Sequence, residues 1–368
     1  MPDVPDSSEP PMVVRVEAEP SLVVPVAPGP KRPRPGLFEA VILTIGFAAV
    51  LFGTVFGVVG LALLVVLARG GANSLKPPEG AEPGSVGAIP QDLVGPLAWS
   101  FPAGYAAGLV FTLLVFRIVD GRGWVREAGL RRLPITPLLL GLLALPGFVV
   151  LSEALAGLLF RVFGMEQVGE EQTKALAGLF GSFHWSFAVL AVGIGPGLVE
   201  ELWCRGFLGR GLVGRYGWAW GIAVTSLFFG MLHLWPPPYV LVTATMGVGL
   251  HYVYATSRSL WVPIAMHLLN NSFAVLLAVG TIPGSRIEAA SNERGVWLVL
   301  VAVALVATAG LALWSARGRV VLAAPTDLHR GIMVPPPANG RIEHAPPSVL
   351  WTVLAVGFCA GLFALILI

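Results

Sequence analysis

From residue 38 onward the chain is written in long apolar blocks divided by short polar ones, at about 38–68, 93–118, 136–162, 183–213, 217–235, 239–257, 260–280, 295–315 and 348–368. At 1.5 Å per residue each block is long enough to cross the ~30 Å hydrocarbon core of a bilayer. The pattern predicts an all-α, polytopic transmembrane helical bundle of about nine spans, an eight-span body and one C-terminal span. The 170–186 stretch is a candidate to lie along the membrane interface, and 316–347 reads as a Pro-rich connector. Residues 1–36 hold ten prolines and almost no aromatic residue, so they read as a tail that cannot offset its ordering entropy by burial. They lack the charged segment leading into an apolar core that marks a secretory signal. Residues 37–92 then form the first span with its loop, and no internal repeat is visible.

Composition narrows the class. Of 368 residues, 55% are hydrophobic and 12% charged, against about 25% charged in soluble domains, which excludes a cytosolic enzyme. The 45 Gly and 31 Pro follow no period, which excludes a collagen-like chain. A net charge of +2 gives no reason to expect a nucleic-acid partner. Cys204 and Cys359 both stand in apolar blocks and read as small core residues rather than a disulfide or zinc framework.

Charge distribution says more than its sum. With the tail inside, seventeen Lys and Arg fall on one face and six on the other, which predicts a cytoplasmic N-terminus and, after nine spans, an external C-terminus. The Arg clusters read as topology signals in contact with lipid phosphates. Trp99, Trp185, Trp218, Trp235, Trp261, Trp297, Trp314 and Trp351 sit near block ends, as an interfacial belt requires. Twenty Arg against three Lys suit a GC-rich bacterium and hence a bacterial plasma membrane.

Ionisable groups inside spans are costly and face the bundle interior, so each is a functional candidate. Block four carries Glu200-Glu201-Leu202-Trp203-Cys204-Arg205. Glu201 and Arg205, four apart, share a helix face and can pair, while Glu200 points ~100° away with its carboxylate free. Block five carries Phe229 and His233, and block seven carries His267, Asn270 and Asn271, with His267 and Asn271 on one face. Measured from the connections on the Arg-bearing face, Glu200 lies ~21 Å deep, His233 ~24 Å, His267 ~14 Å and Asn271 ~20 Å. Polar groups from three helices thus converge at similar depth, whereas a scatter of packing residues would not. Read one at a time, these are a buried ion network and interhelical hydrogen bonds. His251 and Glu153 match no such cluster, and His184, His329 and His344 read as solvated.

A carboxylate and an imidazole facing one water can deprotonate it for attack on a carbonyl, and a second imidazole with an amide can bind the oxyanion. The reaction class is peptide hydrolysis with water as nucleophile. G-x-S-x-G, Cys–His and H-E-x-x-H motifs are absent from these blocks. Zinc held by Glu200, His233 and His267 is the metal alternative, an open three-ligand site. A site without a cofactor is favoured, because neither histidine has an i,i+4 His partner and an Asn suits oxyanion binding better than zinc.

Taken in order, Glu200 to Arg205, Phe229 to His233 and His267 to Asn271 resemble the E-E-x-x-x-R, F-x-x-x-H and H-x-x-x-N motifs of the CPBP intramembrane proteases. That family includes the CAAX prenyl endopeptidases of the Rce1 type and the bacterial Abi group. The resemblance implies a core over about 93–315, with 316–368 as connector and last span outside it. It implies Glu200 as general base for water shared with His233, His267 and Asn271 as the oxyanion site, and Arg205 orienting the acidic pair through Glu201. Phe229 would be wall. The family has been described both as metalloproteases and as glutamate-type proteases, and the coordination argument favours the latter.

The expected activity is therefore an intramembrane endopeptidase acting at the bilayer on a protein or peptide that is membrane-associated or lipidated (CAAX-type), with peptide maturation or self-immunity the expected setting in a bacterium. Partners are membrane lipid and that substrate, with the oligomeric state open. Two rivals remain: a non-catalytic immunity or scaffold protein of the same fold, and a proton-coupled transporter. A transporter should show paired broken helices in repeats, which the sequence lacks.

Overall fold

Each apolar block becomes a helix, because in hydrocarbon the backbone has to satisfy its own N–H and C=O groups. The computed structural model describes residues 33–70, 75, 89–130, 132–234, 236–321 and 341–367. Among these residues eleven helices follow one another: α1 (Leu37–Gly70), α2 (Gln91–Val119), α3 (Trp124–Glu127), α4 (Ile135–Val162), α5 (Glu166–Phe180), α6 (Trp185–Tyr216), α7 (Trp218–Met231), α8 (Pro237–Ser257), α9 (Trp261–Ala278), α10 (Ser285–Ser315) and α11 (Val349–Leu367). Of the tail expected over 1–36, residues 1–32 lie outside the described residues, as do the middle of the Pro-rich connector with His329 and Trp235; Pro35 and Gly36 are buried, with Pro35 against Gly211, so the packed chain begins before the predicted boundary.

Among the described residues seven helices are long and apolar enough to cross a membrane: α1, α2, α4, α6, α9, α10 and α11. Blocks five and six form the other two. Helix α7 has only 14 residues, and α8 has 21 but is diluted by Tyr239, Thr243, Thr245, His251, Tyr252, Tyr254, Thr256 and Ser257. The two lie against each other, with Gly230 and Gly247 letting the backbones approach. The chain is a multi-pass, all-α membrane protein.

Three stretches depart from the sequence reading. The interfacial candidate is the helix α5, shifted toward the N-terminus, with Glu166, Glu170, Glu171 and Lys174 at its surface and Leu179 and Phe180 buried. Helix α10 starts at Ser285 rather than 295, because its first turns carry Arg286, Glu288, Glu293 and Arg294 and do not register as apolar; it kinks at Arg294. The ends of the connector pair as an antiparallel ribbon, β1 (Gly318–Val321) with β2 (Arg341–His344). His344, expected in solvent, is half-buried and bonds the Ser257 carbonyl at 2.9 Å.

Helix α6 is the axis of the structure. It runs unbroken for 32 residues, but Val189–Ile194 and Leu202–Gly209 are π-helical, a widening often found at functional sites. Every residue from Val199 to Val213 is buried. Below the acidic pair, Trp203 stacks on Phe47 at 4.8 Å and meets Phe207 at 5.1 Å, filling the centre with aromatic rings. Gly193 and Gly197, four residues apart, let α9 approach closely: a Cβ on Gly197 would stand 2.9 Å from the Leu268 nitrogen.

One end of the bundle is tied together by polar contacts. Arg210 pairs with Asp120 and Glu127, the Leu260 N–H donates to the Gly129 carbonyl at 3.0 Å, and the Leu37 N–H donates to the Tyr216 hydroxyl at 3.0 Å. These contacts bring the Arg-bearing connections together. Of the belt tryptophans, Trp99, Trp185, Trp218, Trp261, Trp297 and Trp314 are exposed and Trp351 is half-buried. Cys204 and Cys359 are both free thiols.

Candidate active site

Glu200 and Glu201 fall at the middle of α6, as far from hydrocarbon's edge as a 32-residue helix allows. Two carboxylates at that depth require partners. Arg205 Nη1 donates to Glu201 Oε1 at 2.5 Å, the i,i+4 pairing expected from the helical wheel. Its other terminal nitrogen donates to the Gly247 carbonyl on α8 at 2.9 Å, and its guanidinium lies 4.5 Å over the Phe229 ring. Both members of the pair are sealed, at 0% and 1% exposed.

His267 joins the pair from α9. Its Nδ1 stands 2.9 Å from Glu201 Oε1, and its Nε2 stands 4.0 Å from Glu200 Oε2. Glu200 is held from α2, where the Tyr105 hydroxyl donates to Oε1 at 2.8 Å. Glu200 Oε2 is buried and has no hydrogen-bond partner among the described residues. Tyr105 was not singled out in the sequence; a phenolic hydroxyl inside an apolar span was the available signal, since such a group seeks a partner when buried.

Two further candidates make their hydrogen bonds to backbone carbonyls. His233 stands two residues past the end of α7, half-buried; its Nδ1 bonds the Phe229 carbonyl at 3.0 Å and its ring meets Phe229 at 5.3 Å, edge to face. His267 meets the same Phe229 ring at 5.6 Å, also edge to face. Phe229, expected as wall, is thus the shared platform of both imidazoles and the guanidinium. Asn271 Nδ2 reaches the Val192 carbonyl on α6 at 3.3 Å, and Asn270 donates to Asn271 Oδ1 at 3.2 Å. Pro196 has no N–H to offer that carbonyl one turn back, so the Asn amide finds an acceptor there.

Among the described residues no three His, Cys, Asp or Glu side chains form a group that could hold an ion, and His233 and His267 each meet the Phe229 ring edge to face. Of the remaining histidines, His251 is fully buried on α8 and His184 caps α6 through Ser186. Glu153 is exposed on α4.

Residues 181–273 match the family model of the type II CAAX prenyl endopeptidases, Rce1-like. Among curated proteins, the chain is 28% identical over 137 residues to the "Putative membrane peptidase YdiL" of Bacillus subtilis (strain 168), which covers 36% of this chain. The chain spans about half the length of that relative, 54%. No solved structure matches it. The matched segment runs from just before α6 to just past Asn271, so it encloses the acidic pair, both imidazoles and the Asn amides together. Over 181–273, which holds the three motifs, the chain is thus similar to the Rce1-like type II CAAX prenyl endopeptidases.

Proposed function

We propose that the protein is an intramembrane endopeptidase that hydrolyses a peptide bond with a water activated by Glu200. The observation that carries this reading is the asymmetry of the Glu200 carboxylate: Oε1 is occupied by Tyr105, while Oε2 is unpartnered and faces an imidazole 4.0 Å away. Glu201 Oε2 is unpartnered as well, but Glu201 is ion-paired with Arg205, whereas among the described residues no Arg or Lys pairs with Glu200. Arg205 and Glu201 hold His267 in place, His233 and Asn271 line the outer side of the cluster, and no metal enters the reaction. The substrate is a membrane-associated or lipidated (CAAX-type) protein or peptide, met at a bacterial plasma membrane with the enzyme's N-terminus in the cytoplasm.

The test is cleavage by the full chain in lipid nanodiscs, using an internally quenched farnesylated CAAX peptide and its unlipidated counterpart as probes. Wild type should cleave the lipidated probe, and Glu200→Gln should lower the rate by at least about 10³-fold while inserting normally. A chelator should leave the rate unchanged. Equal cleavage by Glu200→Gln would overturn the assignment of the base, and loss of activity on chelation with recovery on adding zinc would overturn the metal-free mechanism.

A further inference from the structure

An eight-residue π-helical run is longer than the single-turn bulge an α-helix ordinarily carries, so Leu202–Gly209 of α6 has to be held by what surrounds it. The run matters to the site, because Glu201 directly precedes it and Arg205 stands inside it. Two contacts bracket it, and both come from the first residues of the described chain, well outside the matched 181–273. At its start, Trp203 stacks on Phe47 of α1, with 4.8 Å between centroids and 6° between ring planes, both side chains fully buried.

Just past its end, Pro33 to Gly36 lie across α6. Gly211 and Gly214, three apart and so on one helix face, form the seat. A Cβ on Gly211 would overlap the Pro35 nitrogen and Cδ, and one on Gly214 would stand 2.9 Å from Pro33 Cβ. Backbone comes this close to a helix only where side chains are missing. Arg215 closes the seat, its Nη1 2.6 Å from where a Gly36 side chain would begin. The crossing is pinned on the α1 side too. The Leu37 N–H donates to the Tyr216 hydroxyl at 3.0 Å, while Glu39 accepts from Arg34 Nη2 at 2.6 Å and from the Gly36 N–H at 3.0 Å.

We propose that the segment from Pro33 to Phe47 is a clamp that positions the Glu201–Arg205 pair, by holding the π-helical run of α6 at Trp203 on one side and at Gly211 on the other. Phe47 and Pro35 are positioning residues, acting on the pair through α6. The clamp itself stands on these contacts; its effect on turnover rests on the hydrolytic reading above. The run carries its own reporter. Cys204 is a free thiol, fully buried in one apolar cluster with Ala40, Phe47 and Leu51 of α1, so its accessibility reads whether the run is held.

Thiol labelling tests the clamp without calling on activity. In the full chain carrying Cys359→Ala, in nanodiscs, Cys204 is the one cysteine left, and N-ethylmaleimide, which enters lipid, reports its exposure. The parent should label slowly. Pro35→Gly, which leaves the sequence of α6 untouched, and Phe47→Ala should each speed labelling about tenfold through local opening of the run. Gly57→Ala, with nothing within 4 Å of its added methyl, should match the parent. Unchanged labelling in both clamp variants would overturn the proposal. The second measurement is cleavage of the quenched farnesylated probe. Pro35→Gly and Phe47→Ala should lower kcat about tenfold with KM little changed, as a displaced catalytic geometry requires. Phe47→Leu, which refills most of the lost volume, should bring kcat back to within about threefold of the parent. Unchanged kcat in variants that expose Cys204 would overturn the positioning role. A parent chain that cleaves neither probe would overturn the hydrolytic reading, and the labelling would still decide the clamp.

Discussion

Arg205 makes three unlike contacts from one side chain: an ion pair to Glu201, a hydrogen bond to the Gly247 carbonyl and a stack over Phe229. Only a planar, forked cation does all three, so it joins α6 to both α7 and α8 around the carboxylates. Tyr105 is the simpler test case. Its hydroxyl is the one described side chain donating to Glu200, and replacing it by Phe removes the donor while keeping the ring against Gly195. A hydrogen bond to a charged group is worth about 1.5–3 kcal/mol. Tyr105→Phe should therefore lower kcat on the farnesylated probe roughly 10- to 100-fold, with the elution profile and thermal midpoint of the purified protein close to wild type; unchanged turnover would remove Tyr105 from the site. The Glu201–Arg205 pair was legible in the sequence because an i,i+4 contact lies within one helix. Tyr105 was not, because its partner stands 95 residues away and only the crossing of α2 with α6 brings them together.

That crossing belongs to the next scale, where α6 and α9 meet across glycines. A Cβ on Gly197 would lie 2.9 Å from the Leu268 nitrogen and 3.0 Å from its Cα, so the obstacle is backbone and cannot swing aside. Gly197→Ala should force the helices apart at the residue next to His267. The expected cost is about 1–3 kcal/mol of overpacking, read as a lower thermal midpoint, together with a fall in kcat of on the order of 10²-fold from a misplaced imidazole. Gly57→Ala is the control: nothing stands within 4 Å of its added methyl, and both readouts should stay at wild type. Equal effects at the two positions would mean that helix propensity, not close approach, governs α6. Hydropathy alone located the helices, since a block of twenty apolar residues has one stable conformation in a membrane. It did not reveal the two π-helical segments of α6, which leave the apolar pattern unchanged, nor the β1–β2 ribbon, whose short strands are separated by most of the connector.

For the whole molecule the governing quantity is the sorting of charge between its two ends. The contacts of Arg210, Tyr216, Gly129 and Ser257 bind the Arg-bearing connections into one surface, while the opposite end carries α5 with Glu166, Glu170 and Glu171. If excess Arg marks the cytoplasmic side, the α5 end faces outward. Single cysteines that change no charge test this in bacterial cells: Gly123→Cys at the Arg-bearing end and Ser182→Cys just before α6, both at exposed positions, with Cys359 replaced by Ala and Cys204 left in its buried place. A membrane-impermeant maleimide should label the Ser182 position in intact cells and the Gly123 position only after permeabilisation. The reverse pattern would place the N-terminus outside and turn the half-exposed members of the site, Tyr105, His233 and Asn271, toward the cytoplasm. Tyr105 touches Glu200 itself, so the labelling pattern also bears on the side of the membrane from which water and a peptide would reach that carboxylate.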